Sequence, residues 1–268
     1  MTASIKDAAH VVDAATVMGL LPARPRLLAL GEPTHGEDVL LELRNDLFRQ
    51  LVEQEGYRTI AIESDCMMGL VVDDYVTSGT GDLDDVMERG FSHEWGAFAA
   101  NRELVRWMRA YNHGRPVSQQ MRFAGFDGPL EITGAASPRE SLAALHTYLT
   151  AWVDADLLPC RWATCRWNGG APGRSSAPRL GEEYAFIATA LGTIRHHGVE
   201  IPPPDTVEGL LYALPEYRYV VDARRLAAIL RDVTPAPRVS PWFGYSPLDP
   251  AHVAGADGII FVKDAPPS

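Results

Sequence analysis

The chain has 268 residues, 46% of them hydrophobic and 22% charged, which is the composition of an ordinary globular protein able to bury its own core. Its 24 Lys and Arg stand against 35 Asp and Glu, a net charge of -11 that argues against nucleic acid and anionic membrane surfaces and leaves a small-molecule partner as the expectation. Three cysteines, Cys66, Cys160 and Cys165, have no framework spacing and suit a reducing compartment, so a cytoplasmic location is expected.

Short apolar runs bounded by turn residues alternate with stretches of helical spacing. That pattern predicts an α/β fold, a largely parallel central sheet flanked by helices, in one domain over residues 1–268. The opening residues include Asp7 and Asp13 and show no basic segment ahead of an apolar run, and no apolar stretch approaches the ~18 residues of a membrane span. A first strand is predicted over 26–30. Leu40, Leu43, Leu47 and Leu51 then recur at three- or four-residue steps and predict a helix over 37–55, ended by Gly56. A strand over 59–62, a helix over 101–111 and a strand over 121–125 follow. Ser137-Pro138-Arg139-Glu140 has the form of a capping box and predicts a helix over 138–153. The Gly-, Pro- and Ser-rich stretch 167–176 reads as a loop and a candidate junction. Helices are predicted over 181–195 and 205–214, and strands over 218–221 and 258–262. Between those strands, 223–230 has helical spacing with Asp222 as its cap.

In a parallel sheet the ligand site lies beyond the carboxyl ends of the strands. Here the first strand runs into Glu32 and His35, the second into Glu63 and Asp65, the third into Asp127, and the fourth into Asp222, which is also read as a helix cap. Carboxylates converging on one imidazole raise its pKa and fix its tautomer, as a general base working near neutral pH requires. Acidic residues after strands also serve simply as helix caps, and for any one of these positions the two readings are evenly balanced. Glu32, between glycine and proline, is a poor cap. Arg44 falls among Leu40, Leu43, Leu47 and Phe48 on the face that should meet the sheet, which predicts a buried guanidinium with Glu32 or Glu63 as its carboxylate acceptor. The alternative is an arginine that snorkels at the helix edge. The tract Phe91-Ser92-His93-Glu94-Trp95 followed by Asn101-Arg102-Glu103 is read as a candidate cleft lining, with core packing of Trp95 and Trp107 as the alternative. His196 and His197 are placed at a helix end and assigned no chemistry, and Cys160 and Cys165 lack the partners of a zinc site. There is no glycine-rich phosphate loop and no G-x-S-x-G elbow.

Leu28-Ala29-Leu30-Gly31-Glu32-Pro33-Thr34-His35-Gly36, Glu42-Leu43-Arg44 and Ile60-Ala61-Ile62-Glu63-Ser64-Asp65 together resemble the erythromycin esterase family. The resemblance continues through 104–112 and 122–127, and resumes at 180–184 and 256–262. It implies metal-independent hydrolysis of a macrocyclic lactone ester, the chemistry of macrolide antibiotic resistance, with no cofactor. His35 would be the general base, Glu32 its partner, and Arg44 and Glu63 the rest of the polar floor. Asp65, Trp95 and Asp127 are the expected substrate-binding residues. Family members carry a second histidine in an H-N-x-H motif beyond a long helical segment. In this chain the interval 152–180 is too short for that segment, and Trp167-Asn168-Gly169-Gly170 stands where the motif would be. The resemblance therefore implies a shortened relative with a reduced helical lid and a deletion junction near 155–180. Two other functions remain open at this point: a small-molecule-binding or accessory protein without turnover, and a metal-dependent hydrolase using His35 with Glu32, Glu63 or Asp127. Oligomeric state is not readable from the sequence.

Overall fold

The computed structural model describes residues 2–128 and 183–266. Strands β1 (Ala9–His10), β2 (Leu27–Leu30), β5 (Tyr184–Thr193), β6 (Arg218–Asp222) and β7 (Gly258–Asp264) form one sheet in the order β1-β6-β7-β5-β2, and β3 (Thr59–Asp65) pairs with β4 (Arg122–Asp127) in a separate ribbon. The predicted helix over 138–153, the lid, the junction near 155–180 and two of the cysteines lie outside the described residues. None of the described helices is long and apolar enough to cross a membrane.

The sheet is mixed rather than largely parallel. β2, β5 and β7 run parallel, but β6 is antiparallel to β7 and β1 is antiparallel to β6. The cause is local. Asp222 at the end of β6 faces Gly258 at the start of β7, so the connection through α8 (Ala223–Leu230) leaves and re-enters the sheet at the same end. Asp222 consequently caps α8 through Arg225 N–H at 2.9 Å, as its sequence context predicts, at the end of the sheet away from the carboxyl ends of β2, β5 and β7.

The described part of the helix predicted over 181–195 is a strand: Tyr184–Thr193 lies between β2 and β7. Its alanines and unbroken apolar run mimic a buried helix, because a strand covered on both faces loses the period-two alternation that would identify it. Both faces are in fact covered. Ile187, Leu191, Val220, Ile260 and Val262 pack on one side, and Ala190, Tyr219, Val221, Ile259 and Phe261 on the other.

The leucine-striped segment folds as α3 (Asp38–Glu55), closed by Gly56 at φ 69°. Its Leu40, Leu43, Leu47 and Leu51 enter the core of the five-stranded sheet, while Phe48 and Val52 pack with Ile60, Ile62 and Phe123 of the ribbon. One helix thus joins both cores and sets the carboxyl ends of β2 and β3 side by side. The same buried face of the ribbon is packed by α4 (Cys66–Ser78) and α6 (Ala99–Asn112). There α4 meets β4 at two glycines. A Cβ on Gly69 would lie 2.7 Å from Gly125 N, and one on Gly125 would lie 2.4 Å from Ser64 O and 2.5 Å from Asp65 O. These neighbours are backbone and cannot swing aside. Gly125→Ala is therefore expected to destabilise the fold by about 1–3 kcal/mol, the range for overpacking. A denaturation midpoint within error of wild type would refute this.

Candidate active site

Backbone pairing carries the polar loop off the end of β2. Gly31 N–H donates to Ile187 O at 2.8 Å, Thr189 Oγ1 donates to Gly31 O at 2.6 Å, and Ser246 N–H donates to Pro33 O at 2.8 Å. Gly36, at φ 80°, takes the left-handed turn that leads into α3. This fixes Glu32 and His35 at the rim, with the His35 side chain 58% exposed.

His35 Nδ1 lies 3.1 Å from Glu32 Oε2, and its Nε2 lies 4.0 Å from Glu63 Oε2. The nearer contact places the Nδ1 proton toward Glu32 and leaves Nε2, too far from Glu63 for a direct hydrogen bond, as the basic nitrogen. The hydrogen bond to Glu32 raises the His35 pKa above its ordinary value, partial burial opposes it, and the charges of Glu32, Glu63 and Asp127 add to the rise. Trp95 supports the ring edge-on at 5.5 Å between centroids. The residues expected to form the base, its partner and part of the floor are thus brought together from two strands that share no hydrogen bonds.

Arg44 is partly buried, with its guanidinium turned inward as its position on α3 predicts, but its acceptors are not bidentate carboxylates. Its guanidinium donates to Asn45 Oδ1 at 2.9 and 3.2 Å and to Asn101 Oδ1 at 2.7 Å. The reason is geometric: Asn101, at the start of α6, is 1% exposed and faces α3, whereas Glu63 reaches outward to the rim. Burial lowers the Arg44 pKa to about 10, opposed by the charge of Glu32, so the group stays cationic at neutral pH. Asn101 Nδ2 donates in turn to Trp95 O at 2.9 Å, and Asn45 Nδ2 donates to Ala100 O at 2.8 Å. A relay from Arg44 through Asn101 therefore sets the turn that carries Trp95.

Asp65 caps α4, accepting from Met67 and Met68 N–H at 2.7 and 3.0 Å. Asp127, 5% exposed and opposite Asp65 in the β3–β4 register, adds negative charge behind His35. Trp95 packs against the ribbon core as a partly buried residue, in line with its reading as core, and also touches His35. Beside it, His93 and Glu94 have φ of 57° and 61°, strained values for side-chain-bearing residues. Ser92 Oγ holds His93 Nδ1 at 2.6 Å and accepts from Asp65 N–H at 2.8 Å. Asn45 carries no motif signal, and for Asn101 and the strained turn, which the sequence offered only as cleft lining, the structural roles appear in their packing partners.

Among the described residues, the group of three side chains whose ligand atoms converge within 4.8 Å of one another is Glu37, His196 and His197. The four groups named for a metal-dependent hydrolase, His35, Glu32, Glu63 and Asp127, supply no such convergence. His196 and His197 do not end an α-helix. They occupy a single 3-10 turn after β5, where Ile194 bridges to Val199.

The sequence profile of the erythromycin esterase family matches residues 52–166. That span includes Glu63, Asp65, Trp95 and Asp127, and begins beyond the loop that holds Glu32 and His35. Among solved structures, a Bacillus cereus protein aligns over 100% of this chain and 97% of its own, at 13% identity and a TM-score of 0.68. A succinoglycan biosynthesis protein aligns over 98% of this chain and 96% of its own, at 15% identity and a TM-score of 0.67. At such identities these likenesses speak for the fold. No curated protein gives a significant match.

Proposed function

We propose that this chain, whose residues 52–166 match the erythromycin esterase family, is an erythromycin esterase-like hydrolase that cleaves an ester or lactone of a small molecule with water activated by His35. The observation that carries the reading is the pairing of His35 Nδ1 with Glu32 at 3.1 Å in a half-exposed side chain whose Nε2 lies 4.0 Å from Glu63. With Nδ1 tied to the carboxylate, Nε2 takes a proton from water, and the resulting hydroxide adds to the carbonyl carbon. The imidazolium so formed is stabilised by Glu32 and Glu63. It then returns the proton to the departing alkoxide, and the acid and alcohol are released. Arg44, cationic and close enough to Glu32 to feel its charge, offsets the negative charge of the floor. Asp127 completes the acidic surround, and Trp95 walls the side on which substrate would lie.

Macrolides are one substrate class within this reading, and simple activated esters are a less demanding one. The test is a panel of both, incubated with purified protein, with product followed by mass spectrometry. Turnover of at least one substrate is expected. A second reading, a binding protein that has lost turnover, is favoured by the absence of H-N-x-H from the sequence. Calorimetric binding with no product at high protein concentration would establish it in place of hydrolysis.

A further inference from the structure

The turn after β5 presents its two histidines to a carboxylate that the ester chemistry does not use. His196 Nε2 lies 3.1 Å and His197 Nε2 lies 4.0 Å from the same atom, Glu37 Oε1. Glu37 is 3% exposed at the start of α3, where it makes no side-chain capping bond, so its carboxylate is aimed at the turn rather than at the helix. Burial raises its pKa, and the neighbouring histidines work against that rise. A carboxyl placed there without a positive partner is costly. The turn is firmly built. Gly198 at φ 72° closes it, and the His197 ring stacks on Trp242 at 3.8 Å between centroids and 14° between planes. Next to Glu37, Asp38 Oδ1 is shut off from solvent with no hydrogen-bond partner.

Two imidazole nitrogens and one carboxylate oxygen are a common ligand set for zinc and its first-row neighbours. With metal–ligand bonds of about 2.0–2.2 Å, tetrahedral ligands stand roughly 3.3–3.5 Å apart. The distances of 3.1 and 4.0 Å bracket that spacing, and all three ligand atoms lie within 4.8 Å of one another, so a modest movement of the rings would close them on a cation. Because His196 and His197 keep 27% and 40% of their side-chain surface exposed, the site is also open to an ion arriving from solution.

We propose that Glu37, His196 and His197 form a binding site for a divalent transition-metal ion, zinc being the type, with its remaining coordination position open to water. The ion would tie the start of α3, two residues past His35, to the turn after β5. It would do so whether or not the rim hydrolyses esters.

The test uses untagged protein, stripped with chelator and dialysed, then titrated with Zn2+ by calorimetry and with Co2+ by visible absorption. One equivalent per chain is expected, and His196→Ala and His197→Ala should each weaken binding by about tenfold or more. His35→Ala should bind as wild type does. Equal uptake by wild type and the His196→Ala/His197→Ala double variant would overturn the proposal, as would loss of uptake in His35→Ala, which would put the ion at the rim. Should the double variant fail to fold, the imidazole 15N shifts of His196 and His197 in wild type decide the matter: movement of both Nε2 signals on adding Zn2+ is expected, and unmoved signals would overturn the assignment.

Discussion

Replacing His35 with alanine is expected to lower ester turnover by about a hundredfold to ten-thousandfold, the usual contribution of a positioned general base. The folded state should be nearly indifferent, because the side chain is 58% exposed and belongs to no core cluster. Circular dichroism and the denaturation midpoint separate the two effects, and equal rates in the two proteins would remove His35 from the mechanism. The acid limb of the pH profile makes a finer test. Water activation needs neutral imidazole, so kcat/KM should rise with pH and level off above a pKa higher than the ordinary 6.5, because the Glu32 hydrogen bond raises it. In Glu32→Gln an amide oxygen still accepts from Nδ1, but the charge is gone. The limb should then move to lower pH and the plateau should fall. A limb that stays in place would mean that Glu32 does not tune the base. Stability has the opposite sign. A histidine whose folded-state pKa is raised contributes stability that is fully present below its unfolded value near 6.5 and lost as pH rises through the folded value. The pH at which the base is competent is therefore the pH at which its pairing with Glu32 and Glu63 no longer stabilises the fold.

Elements with a one-sided environment were legible in the sequence. The leucine stripe of α3 and its terminal Gly56 gave the helix nearly to the residue, since a single face is buried and the C-terminal turn needs a left-handed residue. Glu32 and His35 were legible for a related reason: polar residues directly after an apolar strand end up at the rim whatever else the fold does. β5 was not, because burial on both faces erased its alternation and its alanines favour a helix. Strand direction was hidden as well. Nothing in 218–262 states that the chain re-enters the sheet at the end it left, and that return makes β6 antiparallel and carries Asp222 away from the site. Arg44 shows the limit for side chains. Periodicity put the guanidinium inside, but its acceptors, Asn45 and Asn101, include a residue on a helix 57 positions away that only the tertiary packing selects. Glu37 with His196 and His197 is a stronger case, since its members are 159 residues apart and meet because the β5 turn happens to end over the start of α3.

Asp73→Ala should be among the most destabilising substitutions in the ribbon half of the molecule, at about 2–4 kcal/mol. Among the described strands β4 pairs only with β3, so its other edge carries unpaired backbone groups that packing against α4 would bury. Asp73 of α4 covers that edge. It is 7% exposed, its Oδ1 accepts from Phe123 N–H at 2.9 Å, and both of its oxygens accept from the Arg122 guanidinium, with Nε at 2.9 and 3.1 Å. Alanine would strand the Phe123 N–H away from water, which costs roughly 1–3 kcal/mol, and would remove charge-assisted bonds as well. The Arg122 side chain is 56% exposed and recovers solvation when its partner goes, so the ion pair itself should contribute less than the bond to the backbone. The ranking of three variants tests that division. Asp73→Ala should cost the most, Arg122→Ala the least, and Asp73→Asn should fall between them, because its amide oxygen still accepts from Phe123 N–H. If Arg122→Ala proved as damaging as Asp73→Ala, the ion pair and not edge coverage would hold β4 in place. The consequence reaches the rim through the strand itself, since β4 ends at Asp127, whose charge helps raise the His35 pKa. A loosened edge should therefore lower that pKa before it unfolds the protein, and titration of the His35 ring by NMR in Asp73→Asn would register the shift.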